Sequence, residues 1–209
     1  MSLHQSSVAI MSKCNATFVM GSSHIQITLV PGRRFIGYSH FFKMLGNYSR
    51  MVRIVTDKRS YYHHYQPENM EFIKDSELCV YTSSSLEDIS HSCWDLFCWD
   101  PEKDLPKKFK ADFVCCKWDK NAGTYNPTYA DINVSLNTEP LVIMDGEYQQ
   151  KVPVSLAYKA PTITEDCGSM IIAEIGGKRK LVGIHVAGRD GEMGFAALLP
   201  PLEPIAQAQ

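Results

Sequence analysis

The sequence lacks any apolar run approaching the about 18 residues that a membrane-crossing helix requires. Its opening, Met1-Ser2-Leu3-His4-Gln5-Ser6, lacks the basic-then-apolar build of a secretory signal. A protein that is neither secreted nor membrane-bound is the expectation. Charge of one sign is also missing: 21 Lys and Arg stand against 23 Asp and Glu, a net charge of −2. Bulk electrostatics therefore give no reason to bind nucleic acid or an anionic surface, and such binding would have to rest on a local patch. No segment carries a long helical period. The seven cysteines (Cys14, Cys79, Cys93, Cys98, Cys115, Cys116 and Cys167) include two neighbours and no Cys-x-x-Cys pair. An odd count with those spacings argues against a disulfide framework and a zinc ribbon alike. A structural zinc site from His91, Cys93, Cys98, Cys115 and Cys116 fails on spacing, and no metal or cofactor is expected.

What is present is a chain of 209 residues, 44% of them hydrophobic, with turn signals every ten residues or so between runs rich in β-branched and aromatic side chains. That is the pattern of many short antiparallel strands, and the chain reads all-β. Strands are expected near 16–20, 24–30, 34–41, 50–56, 70–81 and 94–99, then near 112–118, 130–136, 140–144, 152–158, 169–174, 180–186 and 194–198. Six plus seven suit two small barrels better than one sandwich. Asp145-Gly146 and Gly176-Gly177 read as tight hairpin turns, and 41–45 as one helical turn. The charged, proline-bearing stretch from Asp100 to Lys108 separates the strand sets. The domains expected are an N-terminal barrel over 1–102, a linker over 103–111 and a C-terminal barrel over 112–209.

One cysteine stands apart. In Thr162-Ile163-Thr164-Glu165-Asp166-Cys167-Gly168-Ser169-Met170-Ile171-Ile172 a polar loop delivers a thiol, then glycine, then an apolar strand. A nucleophile is presented this way at a strand start, with backbone N–H groups free to face a developing oxyanion. Alone the motif more often marks a packed thiol than a nucleophile. Eighteen residues on stands Gly183-Ile184-His185-Val186-Ala187-Gly188, followed by Gly194-Phe195-Ala196-Ala197-Leu198. Together these segments resemble the 3C-type cysteine proteases of picornaviruses, and especially of the arthropod-infecting dicistroviruses and iflaviruses.

The resemblance implies a chymotrypsin-like fold of two six-stranded antiparallel β-barrels with the active site in the cleft between them. It implies Cys167 as nucleophile, His40 as its base at the end of the third strand, and a carboxylate as the third member. His63 and His64 are the rivals for the base. For the acid, Asp95 on the expected last strand of the first barrel is preferred, and Asp75 is the other candidate. The imidazolium beside the sulfur would lower the thiol pKa so that thiolate is present near neutral pH. By the same resemblance His185 and Thr162 hydrogen-bond the glutamine before the cut, with Gly188 in that pocket, and the backbone at Glu165, Asp166 and Cys167 holds the oxyanion. The family usually has glycine where this chain has Glu165, which leaves the resting shape of that loop open.

The implied partner is a viral polyprotein cut after Gln in the host cell cytoplasm, with no membrane partner. The ending Ala208-Gln209 is the one expected if a Gln-specific protease had released it. Lys107, Lys108 and Lys110 resemble a segment through which some relatives bind viral RNA. The alternative reading is a catalytically silent β-barrel module that binds RNA or protein.

Overall fold

The structure is a computed structural model that describes residues 3–119, 121–122, 124–160, 162, 166–189 and 192–205. A 12-residue helix α1 (Leu3–Cys14) leads into strands β1 (Asn15–Met20), β2 (Ser23–Val30) and β3 (Arg34–Tyr38). Helix α2 (Ser39–Leu45) follows, then β4 (Arg50–Val55), β5 (Ser60–Tyr65), β6 (Met70–Phe72) and β7 (Leu78–Thr82). These strands pair antiparallel into one seven-stranded sheet in the order β5-β4-β1-β2-β3-β7-β6. The first barrel expected to have six strands is thus a seven-stranded sheet whose edges, β5 and β6, are not paired to each other. It still folds over on itself: Tyr65 of β5 stacks on Tyr81 of β7 with ring centroids 5.2 Å apart, and Phe18, Phe35 and Phe42 fill the space between.

The second unit contains β8 (Lys108–Asp119), β9 (Thr124–Asn137), β10 (Leu141–Asp145), β11 (Tyr148–Val152) and β12 (Ser155–Lys159). It is completed by β13 (Met170–Ile175), β14 (Lys178–Arg189) and β15 (Met193–Leu198). Six of them close a barrel, β12-β15-β14-β13-β8-β9, while β10 and β11 form a separate two-stranded ribbon. The hairpin dipeptides act as their chemistry demands: Gly146 joins β10 to β11 and Gly176-Gly177 joins β13 to β14, all at positive φ. Phe113, Ile132, Val134, Leu156, Tyr158, Ile171 and Val182 fill the barrel. A second apolar cluster runs from the first sheet to the facing side of the barrel, through Val114, Met170, Ile172, Leu181 and Ile184.

Five local expectations are corrected. Residues 94–99 do not form a strand: His91–Leu96 is a 3-10 helix, begun by Ser90, whose side chain accepts from the Ser92 N–H. Its tryptophans stack on each other, Trp94 on Trp99 at 4.3 Å, instead of alternating across a sheet. Residues 70–81 break into β6 and β7 around a tight turn in which Asp75 takes φ 58°. β5 is a sheet strand where none is expected, and α1 is a helix with no strong period because its docking, not its composition, holds it. The expected linker over 103–111 is partly in regular elements, since a short helix α3 (Pro101–Asp104) runs into it and β8 begins at Lys108.

Candidate active site

His40 sits in the first turn of α2, directly after β3. Strand pairing fixes what it meets. Tyr38 is paired with Leu78, so the residue before β7, Glu77, lies beside the start of α2; the Ser39 N–H donates to the Glu77 carbonyl at 2.7 Å. The Glu77 side chain is 0% exposed. Its Oε1 accepts from the His40 backbone N–H at 2.8 Å and lies 2.7 Å from His40 Nδ1. A carboxylate only accepts, so His40 Nδ1 is the donor in that contact. The Glu77 Oε2 accepts from the Tyr148 hydroxyl at 2.6 Å.

Glu77, not Asp95, is therefore the carboxylate that the structure brings to His40. Asp95 is exposed in the 3-10 helix, and Asp75 is exposed at the β6–β7 turn. Asp95 was preferred because 94–99 read as the last strand before the connection, a place that β7 takes instead. A signal was available: Glu77 precedes the buried run Leu78-Cys79-Val80-Tyr81 and shares its alternating face with Cys79 and Tyr81. Of the rival histidines, His63 is buried with Nε2 2.8 Å from the Tyr81 hydroxyl and Nδ1 3.2 Å from the Ser85 hydroxyl, and His64 is exposed.

Cys167 lies in the turn between β12 and β13, where the Ser169 N–H donates to the Asp166 carbonyl at 3.0 Å and the Gly168 N–H to the His185 carbonyl at 2.8 Å. Gly168 has φ 94°, and a Cβ there would come within 2.4 Å of the Gln26 carbonyl oxygen on β2. That contact seats the cysteine turn on the first sheet. Asp166 is paired with Lys117 of β8, Nζ to Oδ1 2.5 Å. Glu165, expected in the oxyanion loop, lies outside the described residues, whereas Asp166 and Cys167 lie in this turn.

His40 and Cys167 line one cleft of about 840 Å³ between the two units, walled on one side by β10 from Leu141 to Asp145 and on another by Val186 to Arg189 of β14. The thiol is 7% exposed and donates to the Val186 carbonyl at 3.5 Å. Burial first, then the nearby carboxylates of Asp166, Glu77 and Asp145, push it up to about 12. Burial and these carboxylates thus oppose the lowering that an imidazolium beside the sulfur would give.

Thr162 and Gly188 line the same cleft. Among the described residues the Thr162 hydroxyl is buried without a hydrogen-bond partner, and a Cβ on Gly188 would stand 2.8 Å from its Oγ1. His185 is one layer deeper, 1% exposed, its Nδ1 2.5 Å from the Tyr158 hydroxyl and its ring edge-on to Phe113. Burial holds its pKa down at about 4 against an opposing pull from Asp166, and raises Tyr158 well above the ordinary phenol value. The tyrosine is thus the donor, so the neutral imidazole carries its proton on Nε2.

Lys107, Lys108 and Lys110 are exposed and none lines the cleft. Among the described residues the group with metal-ligand proximity is His4, Asp112 and Asp131, not the His91 and cysteine set considered above. Asp112 there is already paired with Arg179 and Ser7.

No family model matches the chain. Over all 209 residues it is 62% identical to part of the RNA1 polyprotein of Red clover mottle virus and 59% identical to that of Cowpea mosaic virus. It is 36% identical over 206 residues to that of Broad bean wilt virus 1. The chain spans 11% of the length of each of these polyproteins. Among solved structures, an HRV-C 3C protein with rupintrivir matches with a TM-score of 0.62 at 15% identity, covering 95% of this chain and 98% of that one. The MamO protease domain from Magnetospirillum magneticum matches at 0.60 and 15% identity, covering 92% and 94%. The tobacco vein mottling virus protease matches at 0.57 and 10% identity, covering 90% and 78%. By sequence the chain is similar to one segment of these viral RNA1 polyproteins, and its fold is the chymotrypsin-like one that it shares with these solved structures.

Proposed function

We propose that the chain is a cysteine endopeptidase of the viral 3C type that cuts polyprotein segments after glutamine, with Cys167 as nucleophile, His40 as base and Glu77 as the third member. The observation that carries this is the cleft, where a histidine held at Nδ1 by a buried carboxylate and a thiol at the start of a strand face the same space from two different units. Burial favours the neutral thiol, and in this reading His40 Nε2 takes its proton as the sulfur attacks the scissile carbonyl. Glu77 keeps the Nδ1 proton in place and offsets the charge that develops on the ring. The oxyanion forms beside the backbone N–H groups of the Asp166–Cys167 turn. His40 then protonates the leaving amine, and water hydrolyses the thioester.

The glutamine preference rests on His185 and Thr162. A neutral imidazole with its proton on Nε2 donates to the amide oxygen, and the unpartnered Thr162 hydroxyl supplies a second polar contact. A site built to hydrogen-bond one group strongly disfavours an analogue that cannot return the bond.

Cleavage of a Gln-containing peptide by wild type, Cys167→Ala, His40→Ala, Glu77→Gln and Asp95→Asn tests the reading. Cleavage is expected to vanish in the first two variants, to fall by about 10²-fold or more in Glu77→Gln, and to stay at the wild-type rate in Asp95→Asn. Equal turnover in wild type and Cys167→Ala would overturn the protease, and a silent Asp95→Asn beside an active Glu77→Gln would overturn the assignment of the acid.

A further inference from the structure

Glu77 is held from two sides by parts of the chain that are far apart in sequence. Oε1 takes both His40 donors, while Oε2 takes the Tyr148 hydroxyl, 71 residues away. A carboxylate with no solvent exposure depends on such donors, because each unmet lone pair carries its desolvation cost. Tyr148 is the first residue of β11, paired with Asp145 across the Gly146-Glu147 turn, so it stands at the tip of the β10–β11 ribbon. The ribbon lies outside the closed barrel. A lone two-stranded ribbon is marginally stable, and this one depends on what it touches. Ile143 and Val152 pack into the apolar cluster that reaches the first sheet, and Tyr148 supplies the polar tether at the tip. Its ring also flanks the imidazole, with centroids 6.2 Å apart.

We propose that Tyr148 is a positioning residue, tying the ribbon that walls the cleft to the Glu77 carboxylate, so that seating the ribbon and aligning His40 are one event. The proposal rests on the protease reading for its kinetic consequence, though not for the tether itself. Burial and the neighbouring Glu77 charge raise the Tyr148 pKa above the ordinary phenol value, so the hydroxyl remains a donor at neutral pH. With the ribbon lifted, Oε2 loses its donor and β10 leaves the cleft wall together. The cleft then loses substrate contacts and the base its orientation in the same motion.

Tyr148→Phe removes the hydroxyl and keeps the ring. Two readouts are expected to move: kcat on a Gln peptide falls about tenfold, the typical reach of one hydrogen bond to a charged group, and amide hydrogen exchange across 141–152 speeds up. Placed on Glu77→Gln, Tyr148→Phe is expected to add little further loss, because the carboxylate it acts through is gone. A merely structural tyrosine would give an additive loss, and that result, or unchanged exchange across the ribbon, overturns the proposal. If the wild-type protein cleaves nothing, the protease reading fails, and ribbon exchange in Tyr148→Phe against wild type decides the tether on its own.

Discussion

Cys167 and His185 are both buried, and burial shifts each toward its neutral form. The thiol is pushed up to about 12 and the imidazole held down at about 4, since a low-dielectric site disfavours either charge. For His185 the consequence is testable. An ordinary imidazole takes a proton near pH 6.5, whereas this ring stays uncharged from pH 5 upward. The preference for Gln over Glu before the cut is therefore expected to be flat between pH 5 and 8, measured as the ratio of kcat/KM on paired peptides. A ratio that collapses toward pH 5 would mean a charged ring. The same shift makes the fold acid-sensitive: the unfolded ring protonates near 6.5 and the folded one only near 4, so this stability is full above 6.5 and is lost as pH falls toward 4. At this scale the sequence was partly legible. His40 reads as a strand end, whereas β3 stops at Tyr38 and His40 lies in the first turn of α2; His185 lies on a strand, β14, as its motif reads. Glu77 was passed over for Asp75, two residues away, and for Asp95, because a carboxylate's role depends on where its strand pairs.

The turn carrying Cys167 is shaped by one close approach. Gly168 combines φ 94° with a Cβ position 2.4 Å from the Gln26 carbonyl, whereas Gly176 has φ 59° and open space around it. Comparing alanine at the two sites separates backbone strain from crowding. Gly176→Ala is expected to cost about 1 kcal/mol, and Gly168→Ala about 2 kcal/mol or more together with most of the activity. Urea denaturation and peptide cleavage check both, and equal costs would mean that the approach to β2 matters little. Elements were legible where chemistry is local, as at the Gly146 and Gly176-Gly177 hairpins. They were misread where packing outweighs pattern. The aromatic-rich segment around Trp94 has the composition of a strand, yet its tryptophans pair with each other. α1, with serines in mid-helix, has weak propensity and holds its shape by docking.

On the scale of the molecule, the two units are joined at several points: Gly168 against Gln26, Tyr148 on Glu77, and α1 on the second barrel. The last of these runs through a buried network. Ser7 donates to Asp112 Oδ2 at 2.7 Å, and Arg179 donates to Ser7 at 2.9 Å and pairs with Asp112. Asp112→Ala would leave the Arg179 charge, 13% exposed, without its partner. Removing one member of a buried pair is costly, so a loss of about 3 kcal/mol in urea denaturation is expected. Asp112→Asn, which keeps an acceptor for Ser7, is expected to lose less. Equal losses in the two variants would mean that the acceptor for Ser7 contributes nothing of its own and that the charge pair carries the whole effect.

The sequence by itself determined the all-β class, the hairpins and the segments from Thr162 to Leu198 that carry Cys167 and His185, because each is written in contiguous residues with local turn chemistry. Only the tertiary structure decided that the first unit is a seven-stranded sheet, that burial works against a charged Cys167 sulfur, and that Glu77 with Tyr148 holds His40. The reason is physical: register between β3 and β7, and the seat of a ribbon joined to the barrel only at its base, are set by contacts between residues dozens of positions apart. No local pattern encodes such contacts.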